Sequence, residues 1–267
     1  MQENKAALFE PQLYQANCQM QVRWADAILE YVDLKSATQI LDVGSGDGLI
    51  TANIAQANPS AHIIGLDYSQ SMVDFANQSY GKQNLHFIAG DAHQLPFQEQ
   101  FDAVVSFSTI HRLADPQLAF AEIFKVLKSG GKFVAAFPAS GSLIMSNSIA
   151  AVDTKPEWQN YFKSPDRKNY KLTDQDIKEW LVDVGFMVIK SKIKWEDEVF
   201  SSRDNFRDLL RATFSHRALL PPEKELQFFE EIVDEYLKYS PLDQKGRVHF
   251  YFNRVELLAI KMPKAKL

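Results

Sequence analysis

The first chemical signal is a run of glycines. In Leu41-Asp42-Val43-Gly44-Ser45-Gly46-Asp47-Gly48 they follow a short apolar run and precede Leu49, Ile50, Ile54 and Ala55 at helical spacing. Glycines there let a ligand approach the backbone where a strand turns into a helix. Asp67 stands nineteen residues after Gly48, at the end of the next apolar run, HIIGLD. An acid so placed can accept hydrogen bonds from two ribose hydroxyls. Together these features imply a nucleoside-containing cofactor. A nicotinamide fingerprint needs G-x-G-x-x-G, but Leu49 occupies the last glycine place and Gly48 comes one residue early. Gly90-Asp91-Ala92 ends a third run, where a carboxylate can meet an adenine amino group. A fourth run opens at Phe101-Asp102 and reaches Ser106 and Phe107. Ligands of open α/β sheets lie beyond the carboxyl ends of the strands, so four strand-to-helix corners aim at one crevice.

The elements that must hold these corners follow from hydrophobic pattern. Strands are expected at 40–43, 62–67, 85–90, 101–108 and 132–137, each continuously apolar. Helices alternate with them. One ends at Asn58-Pro59, one is capped by Ser69, and one starts at Asp115-Pro116 and ends at Gly130-Gly131. Continuously apolar strands alternating with helices indicate a parallel sheet covered on both faces. Residues 139–170 show no clear period. Thr173 can cap a helix over 174–184, with Gly185 at its end and a strand over 186–195. Residues 203–238 read as helical with a break at Pro221-Pro222, and 248–261 as a long final strand or hairpin.

Composition narrows the function classes. The chain has 267 residues, with 46% hydrophobic and 24% charged, which suits one large globular α/β unit. Its net charge of −5 argues against nucleic-acid binding through overall positive charge. Cys18 is the only cysteine, which excludes intrachain disulfides and thiolate metal cages, and the six histidines lack metal-site spacing. The N-terminus reads as no secretory signal, and no apolar run approaches the length of a membrane span. The expectation is a cytoplasmic protein with no membrane, nucleic-acid or metal partner, and no feature sets an oligomeric state. G-x-S-x-G and G-x-x-x-x-G-K-[ST] are absent.

With these residues in order, the chain resembles the class I S-adenosylmethionine-dependent methyltransferases. LDVGSGDG is similar to the family's glycine-rich first motif, Asp67 in GLDYS to its ribose-binding acid, and Asp91 in GDAHQLPF to its adenine-side acid. FDAVVSFSTIH resembles the fourth-strand motif and LKSGGKF the turn into the fifth strand. The resemblance covers residues 40–137. It implies a Rossmann-like, doubly wound, mainly parallel seven-stranded sheet with an antiparallel final strand, plus a helical cap from the N-terminus and C-terminal insertions. Within a single domain, the expected regions are lid helices at 1–35, the cofactor core at 36–138, and the rest of the sheet with cap insertions at 139–267.

The family's roles carry over residue by residue. The cofactor would be S-adenosylmethionine, with S-adenosylhomocysteine as product. Gly44, Ser45 and Gly46 would pass its methionine part, and Asp42 would hold that loop and reach the ammonium through water. Asp67 would hold the ribose, Tyr68 and Met72 would flank the adenine, and Asp91 with the backbone of Ala92 would read its edge. Plain helix packing is an equal reading for Met72. Ser106 would lie near the methionine end, and Asp102 is read as structural.

A finer resemblance touches the ends of the chain. Tyr14, Gln21 and Arg23, Gly185-Phe186 and the ending FYFNRVELLAIK are similar to the branch of juvenile hormone acid, trans-aconitate and malonyl-carrier-protein carboxyl methyltransferases. There a lid helix, here expected to run to Leu34, carries a glutamine near cofactor and substrate carboxylate, and Gln21 matches it. The branch often has His-Trp after the fourth strand, whereas this chain has His111-Arg112. Arg112 could pair with an acidic substrate or be solvated.

The expected reaction is methylation of a small-molecule or carrier-bound acceptor, with carboxyl O-methylation favoured. N- or C-methylation, or non-catalytic cofactor binding with action through a partner, are the alternatives. An Asn/Asp-Pro-Pro-Tyr run, used for amino-group methylation of adenine or glutamine, is absent after the fourth strand. A carboxylate acceptor needs no general base. An alcohol or amine might, and His111 is the expected base, with a loop hydrogen bond as its other reading. Arg203, Arg207, Arg211 and Arg217 could face an acidic acceptor or solvent. Trp158, Tyr161, Phe162, Phe206, Phe214, Phe228 and Phe229 could line its pocket or fill a core.

Overall fold

The computed structural model describes residues 10–139, 142–162 and 172–263. The N-terminal tip, read as no leader, and part of the stretch expected to lack a period lie outside the described residues. Strands β1 (Gln39–Val43), β2 (His62–Asp67), β3 (Leu85–Ala89), β4 (Phe101–Phe107), β5 (Leu127–Pro138), β6 (Phe186–Phe200) and β7 (Val248–Lys261) form one seven-stranded sheet in the order β3-β2-β1-β4-β5-β7-β6. The first five are mutually parallel, and β7 runs antiparallel to both β5 and β6. Chain order reverses between β1 and β4, which opens a crevice at their carboxyl ends.

Both faces are covered. On one lie α2 (Gln19–Leu29), α3 (Leu49–Ala57) and α4 (Gln70–Tyr80), which contribute Trp24, Ile28, Ile54 and Val73 to a core with Ile40, Val105 and Val134. On the other lie α5 (Pro116–Val126) and α7 (Asp174–Val184), whose Phe120, Ile123, Ile177 and Leu181 pack on Leu41, Val104 and Phe133. Adjacent strand residues thus bury on opposite faces, which is why the strands read as continuous apolar runs. Each large aliphatic or aromatic side chain so buried contributes about 1.5–3 kcal/mol.

Side-chain caps set several helix starts. Ser69 accepts from Met72 N and Asp115 from Leu118 N, while Thr173 and Asp176 form a reciprocal capping box. Three boundaries differ from expectation. Helix α2 ends at Leu29 rather than Leu34. Helix α5 ends at Val126 rather than at the glycines, because Leu127 already pairs with Phe101. Gly130, at φ 78°, then bends β5 before the main ladder begins at Lys132. Strand β6 continues past 195 to Phe200, where it pairs with Val248.

Between β6 and β7 the chain builds a helical cap. Helices α8 (Arg203–Thr213) and α9 (Pro222–Leu237) are joined by a short 3-10 turn at Ser215–Leu219, so the break falls ahead of Pro221-Pro222. They pack with α6 (Leu143–Asp153), a helix not expected from sequence, around Trp158, Phe206, Phe228, Phe229 and Tyr236. Helix α1 (Pro11–Asn17) lies against α8 and also touches α2 and α4.

Candidate active site

The turn from β1 to α3 is held from below and from the side. Asp42 is buried and accepts a 2.6 Å hydrogen bond from Thr51 Oγ1, while its Oδ1 has no partner among the described residues. Burial pushes its pKa from 3.8 up to about 7. Gly44 N and Ser45 N both donate to Leu66 O, at 2.7 and 3.0 Å, which fastens the loop to β2. Gly44 has φ 80°, and a Cβ there would stand 2.1 Å from Thr109 Oγ1. Only glycine fits both the conformation and the contact. Thr109 Oγ1 in turn donates to Gly44 O at 3.1 Å, so the residue after the β4 corner braces the loop. Sequence reasoning missed Thr109, because its partner is remote in sequence and no local pattern marks it.

Asp67 lies where expected, beside the loop. Its Oδ2 accepts from Gly46 N and its Oδ1 from Ser69 N, each at 2.9 Å. Burial raises its pKa, although both bonds and the Arg112 charge oppose the rise. Tyr68 is 59% exposed at the rim, whereas Met72 is buried at the start of α4. Asp91 is exposed. Its Oδ1 accepts from His93 N and contacts His93 Nδ1 at 2.7 Å, and the adjacent Ala92 is buried. Ser106 is completely buried and donates to Val43 O at 2.8 Å, so it stiffens the sheet behind the loop. Asp102 sits at the other end of β4. Burial would raise it, but Lys128, Thr38 and Gln39 N–H bonds hold its pKa near 2, in keeping with the structural reading.

The far wall of the cleft comes from the β4 corner and the lid helices. Ser108 has φ 54°, an uncommon left-handed conformation for a serine, and its Oγ is buried without a partner among the described residues. His111 Nδ1 is likewise buried and unpartnered there. Burial, then the neighbouring Arg112 charge, holds the His111 pKa well below 6.5, so the ring is neutral at pH 7. Arg112 donates from Nε to Ser108 O at 3.2 Å and from Nη1 to Thr213 O at 2.6 Å. The Tyr14 ring reaches to 3.8 Å from where a Cβ on Gly46 would stand, and burial raises its pKa. Gln21 is buried on α2, and its Oε1 has no partner among the described residues. Arg23 pairs with Glu198 and ties α2 to β6.

Tyr14, Asp67, His111 and Arg112 influence one another electrostatically, which groups them around the Gly46 turn and the β4 corner.

The other arginines are not at this cleft wall. Arg203 pairs with Glu230 and Asp234, and Arg207 with Asp204, Asp208 and Glu230. Arg211 pairs with Glu225 at 2.9 Å, and Arg217 with Glu225 and Glu10 at 3.0 and 2.6 Å. Carboxylates of α9 therefore take the place of the acidic acceptor considered for them. Trp158, Phe206, Phe228 and Phe229 are fully buried in the cap core, with Tyr161, Phe162 and Phe214 packed against it.

Comparison with known proteins agrees with this architecture. A family model for a methyltransferase domain matches residues 34–185. Malonyl-[acyl-carrier protein] O-methyltransferase of Geobacter sulfurreducens is 30% identical over 192 residues, covering 70% of this chain and 69% of that enzyme. Demethylmenaquinone methyltransferase of Lactobacillus johnsonii is 32% identical over 146 residues, covering 52% of this chain and 57% of that enzyme. The chain thus spans little more than half of this second relative's length. Among solved structures, the YcgJ protein from Bacillus subtilis superposes with a TM-score of 0.61 at 18% identity, covering 91% of this chain and 99% of that one. Phosphoethanolamine N-methyltransferase 2 of Haemonchus contortus, solved in complex with S-adenosyl-L-methionine, gives 0.59 at 19% identity, covering 95% and 57%. With more than half of its residues matched by the family model, and with the sheet order and first-strand turn described above, the chain belongs to the methyltransferase domain family.

Proposed function

We propose that this methyltransferase uses S-adenosylmethionine and moves its methyl group to the carboxylate of a small or carrier-bound acid. The chain's residues fit the cofactor. Asp42 Oδ1 and Ser45 Oγ are buried polar atoms without partners among the described residues, and the left-handed Gly44–Gly46 turn opens beside them. Asp67 accepts one hydrogen bond on each oxygen, and a carboxylate has capacity for about four, so two ribose hydroxyls can still donate to it. Tyr68 and Met72 would flank the adenine, and Asp91 with Ala92 N–H would read its edge.

When bound, S-adenosylmethionine supplies an activated methyl: the acceptor oxygen forms a C–O bond as the S–CH3 bond breaks, the electron pair stays on sulfur, and no proton moves. The protein's tasks are to orient and to exclude water. The cap and lid helices close the cleft. Gln21 offers its amide to the acceptor carboxylate.

The observation that carries the carboxyl reading is the state of His111. It is the histidine at the cleft wall, and its depressed pKa makes it a weak base at neutral pH. An ionised acceptor is the class that needs no stronger one. His111 then acts as a neutral wall beside the acceptor. The carboxyl-methylating relative supports the same reading. The demethylmenaquinone-methylating relative makes carbon methylation the second reading.

The test is incubation with methyl-labelled S-adenosylmethionine and a pool of free acids and acyl-carrier thioesters. Label released as methanol in mild base is the expected result, since methyl esters hydrolyse there. Base-stable label refutes carboxyl methylation.

A further inference from the structure

We propose that the outer edge of β6 binds a second copy of this chain, so that two sheets join antiparallel about a two-fold axis at Trp195.

The edge comes first. Strand β6 is the outermost strand of the sheet, and among the described residues no strand pairs with its outer edge. Such an edge presents a row of main-chain donors and acceptors that another strand can satisfy. A register shift between Val188 and Lys190 bulges the strand near its start. From Lys190 to Phe200 its ladder with β7 then runs without interruption. The midpoint of that regular stretch is Trp195.

Charge is arranged about the same residue. Lys190, Lys192 and Lys194 precede Trp195, and Glu196, Asp197 and Glu198 follow it. Edge lysines commonly ward off other strands. Here the reversal of direction in an antiparallel pair brings the basic half of one strand onto the acidic half of the other. A two-fold axis perpendicular to the joined sheet passes beside one residue, which then faces its own copy. With Trp195 there, Lys194 faces the partner subunit's Glu196 and Lys192 faces the partner subunit's Glu198. Moving the axis by one residue sets Lys194 against the partner's Lys194, or Glu196 against the partner's Glu196. Moving it by two sets Lys192 against the partner's Lys194, or Glu196 against the partner's Glu198. Directly opposed like charges destabilise a strand pair, so charge selects one register.

The side chains suit that register. Lys192 is exposed. Lys194, Glu196 and Glu198 already pair with Glu256, Arg254 and Arg23, yet each keeps part of its side chain in solvent. The second copy adds a contact to each of them without breaking the first. Trp195 points to the opposite face of the strand, where it is 65% exposed and stacks on Tyr251 of β7 with ring centroids 5.3 Å apart. That stack holds the indole in place, and in this register it meets the partner's Trp195. Cross-strand aromatic pairs are among the favourable ones. Because the contact is isologous and uses the single β6 edge of each copy, association through it stops at two. Glu198 is also the acid that ties α2 to β6, so the second copy reaches the anchor of the helix that carries Gln21.

Sedimentation equilibrium of the full chain over a concentration series reads the association. The expected species is a dimer that forms at micromolar concentration, as suits a small interface. Lys192→Glu places like charges together twice in the dimer and should weaken association by at least about 5-fold. Glu198→Lys should weaken it likewise. The double variant exchanges the two charges and should recover most of the lost affinity. Trp195→Ser, at an exposed site on the other face, should weaken association several-fold and gives a reading independent of the charge variants. Far-ultraviolet circular dichroism checks that each variant keeps the parent fold. A chain that stays monomeric up to about 100 µM overturns the proposal. So does a dimer that these substitutions leave unchanged, or a double variant that associates no better than the singles.

Discussion

Replacing Gly44 by alanine tests the brace between the first-strand loop and the β4 corner. Two costs add. A non-glycine residue at φ 80° carries left-handed strain of about 1–2 kcal/mol. The new Cβ would also stand 2.1, 2.3 and 2.6 Å from Oγ1, Cγ2 and Cβ of Thr109, which forces overpacking worth about 1–3 kcal/mol. Gly44→Ala should therefore destabilise by roughly 2–5 kcal/mol. Thr109→Gly removes all three clashing atoms. Alone, it costs about 1–2.5 kcal/mol through loss of one hydroxyl donor shared between Gly44 O and Phe107 O, and through added chain freedom. In the double variant the overpacking disappears while the strain remains. The pair should then be less destabilised than the sum of the singles by about 1–3 kcal/mol. Urea unfolding followed by tryptophan fluorescence reads all four corners of the cycle. Additivity to within about 0.5 kcal/mol would show that Gly44 and Thr109 are not in steric conflict, and the argument for the brace would fall.

Three further outcomes are expected. Asp67→Ala should weaken cofactor affinity by about 1–3 kcal/mol in calorimetry, and unchanged affinity would remove Asp67 from the ribose site. Burial raises Asp42 from 3.8 to about 7, so the folded chain holds a proton that the unfolded chain has released across that interval. Stability should fall as pH climbs from about 4 to about 7, and Asp42→Asn should flatten that slope in urea titrations at several pH values. Arg203→Ala should lower the cap's stability by no more than about 1 kcal/mol, because its ion pairs are partly exposed, and should leave acceptor selectivity as in the parent chain. A selectivity change would return the cap arginines to the acceptor site.

Much of the core was legible because its signals are local. Ile40, Leu41 and Val43 mark the first strand and bury on both faces, and Asp67 follows at the interval that one strand–helix–strand unit sets. Ser69 and Asp115 cap where their side chains announce it. What stayed hidden depends on distant partners. Nothing near Gly130 tells that Leu127 already pairs with Phe101, so the local pattern alone carries the helix past its observed end. The arginines of α8 are paired largely by carboxylates of a separate helix, α9, which sequence spacing does not bring to them. Thr109 is an ordinary residue until Gly44 is placed against it. The burial of His111, which lowers its pKa, is a property of its whole surroundings.

The placement of the cap has a consequence for how the chain assembles. Phe200 pairs with Val248, so the longest ladder of the sheet is an antiparallel hairpin whose loop comprises residues 201–247. Closing a flexible loop of that length costs roughly 3 kcal/mol in chain entropy. Phe206, Phe228, Phe229 and Tyr236 cluster with Val248 of β7 and with Met145 and Val152 of α6, so side chains of the loop offset part of that cost. The contacts that fill the cap therefore also hold the far end of the β6–β7 ladder together. A different cap on this sheet would meet the same closure cost. A new cap must still bring Phe200 and Val248 within reach of each other.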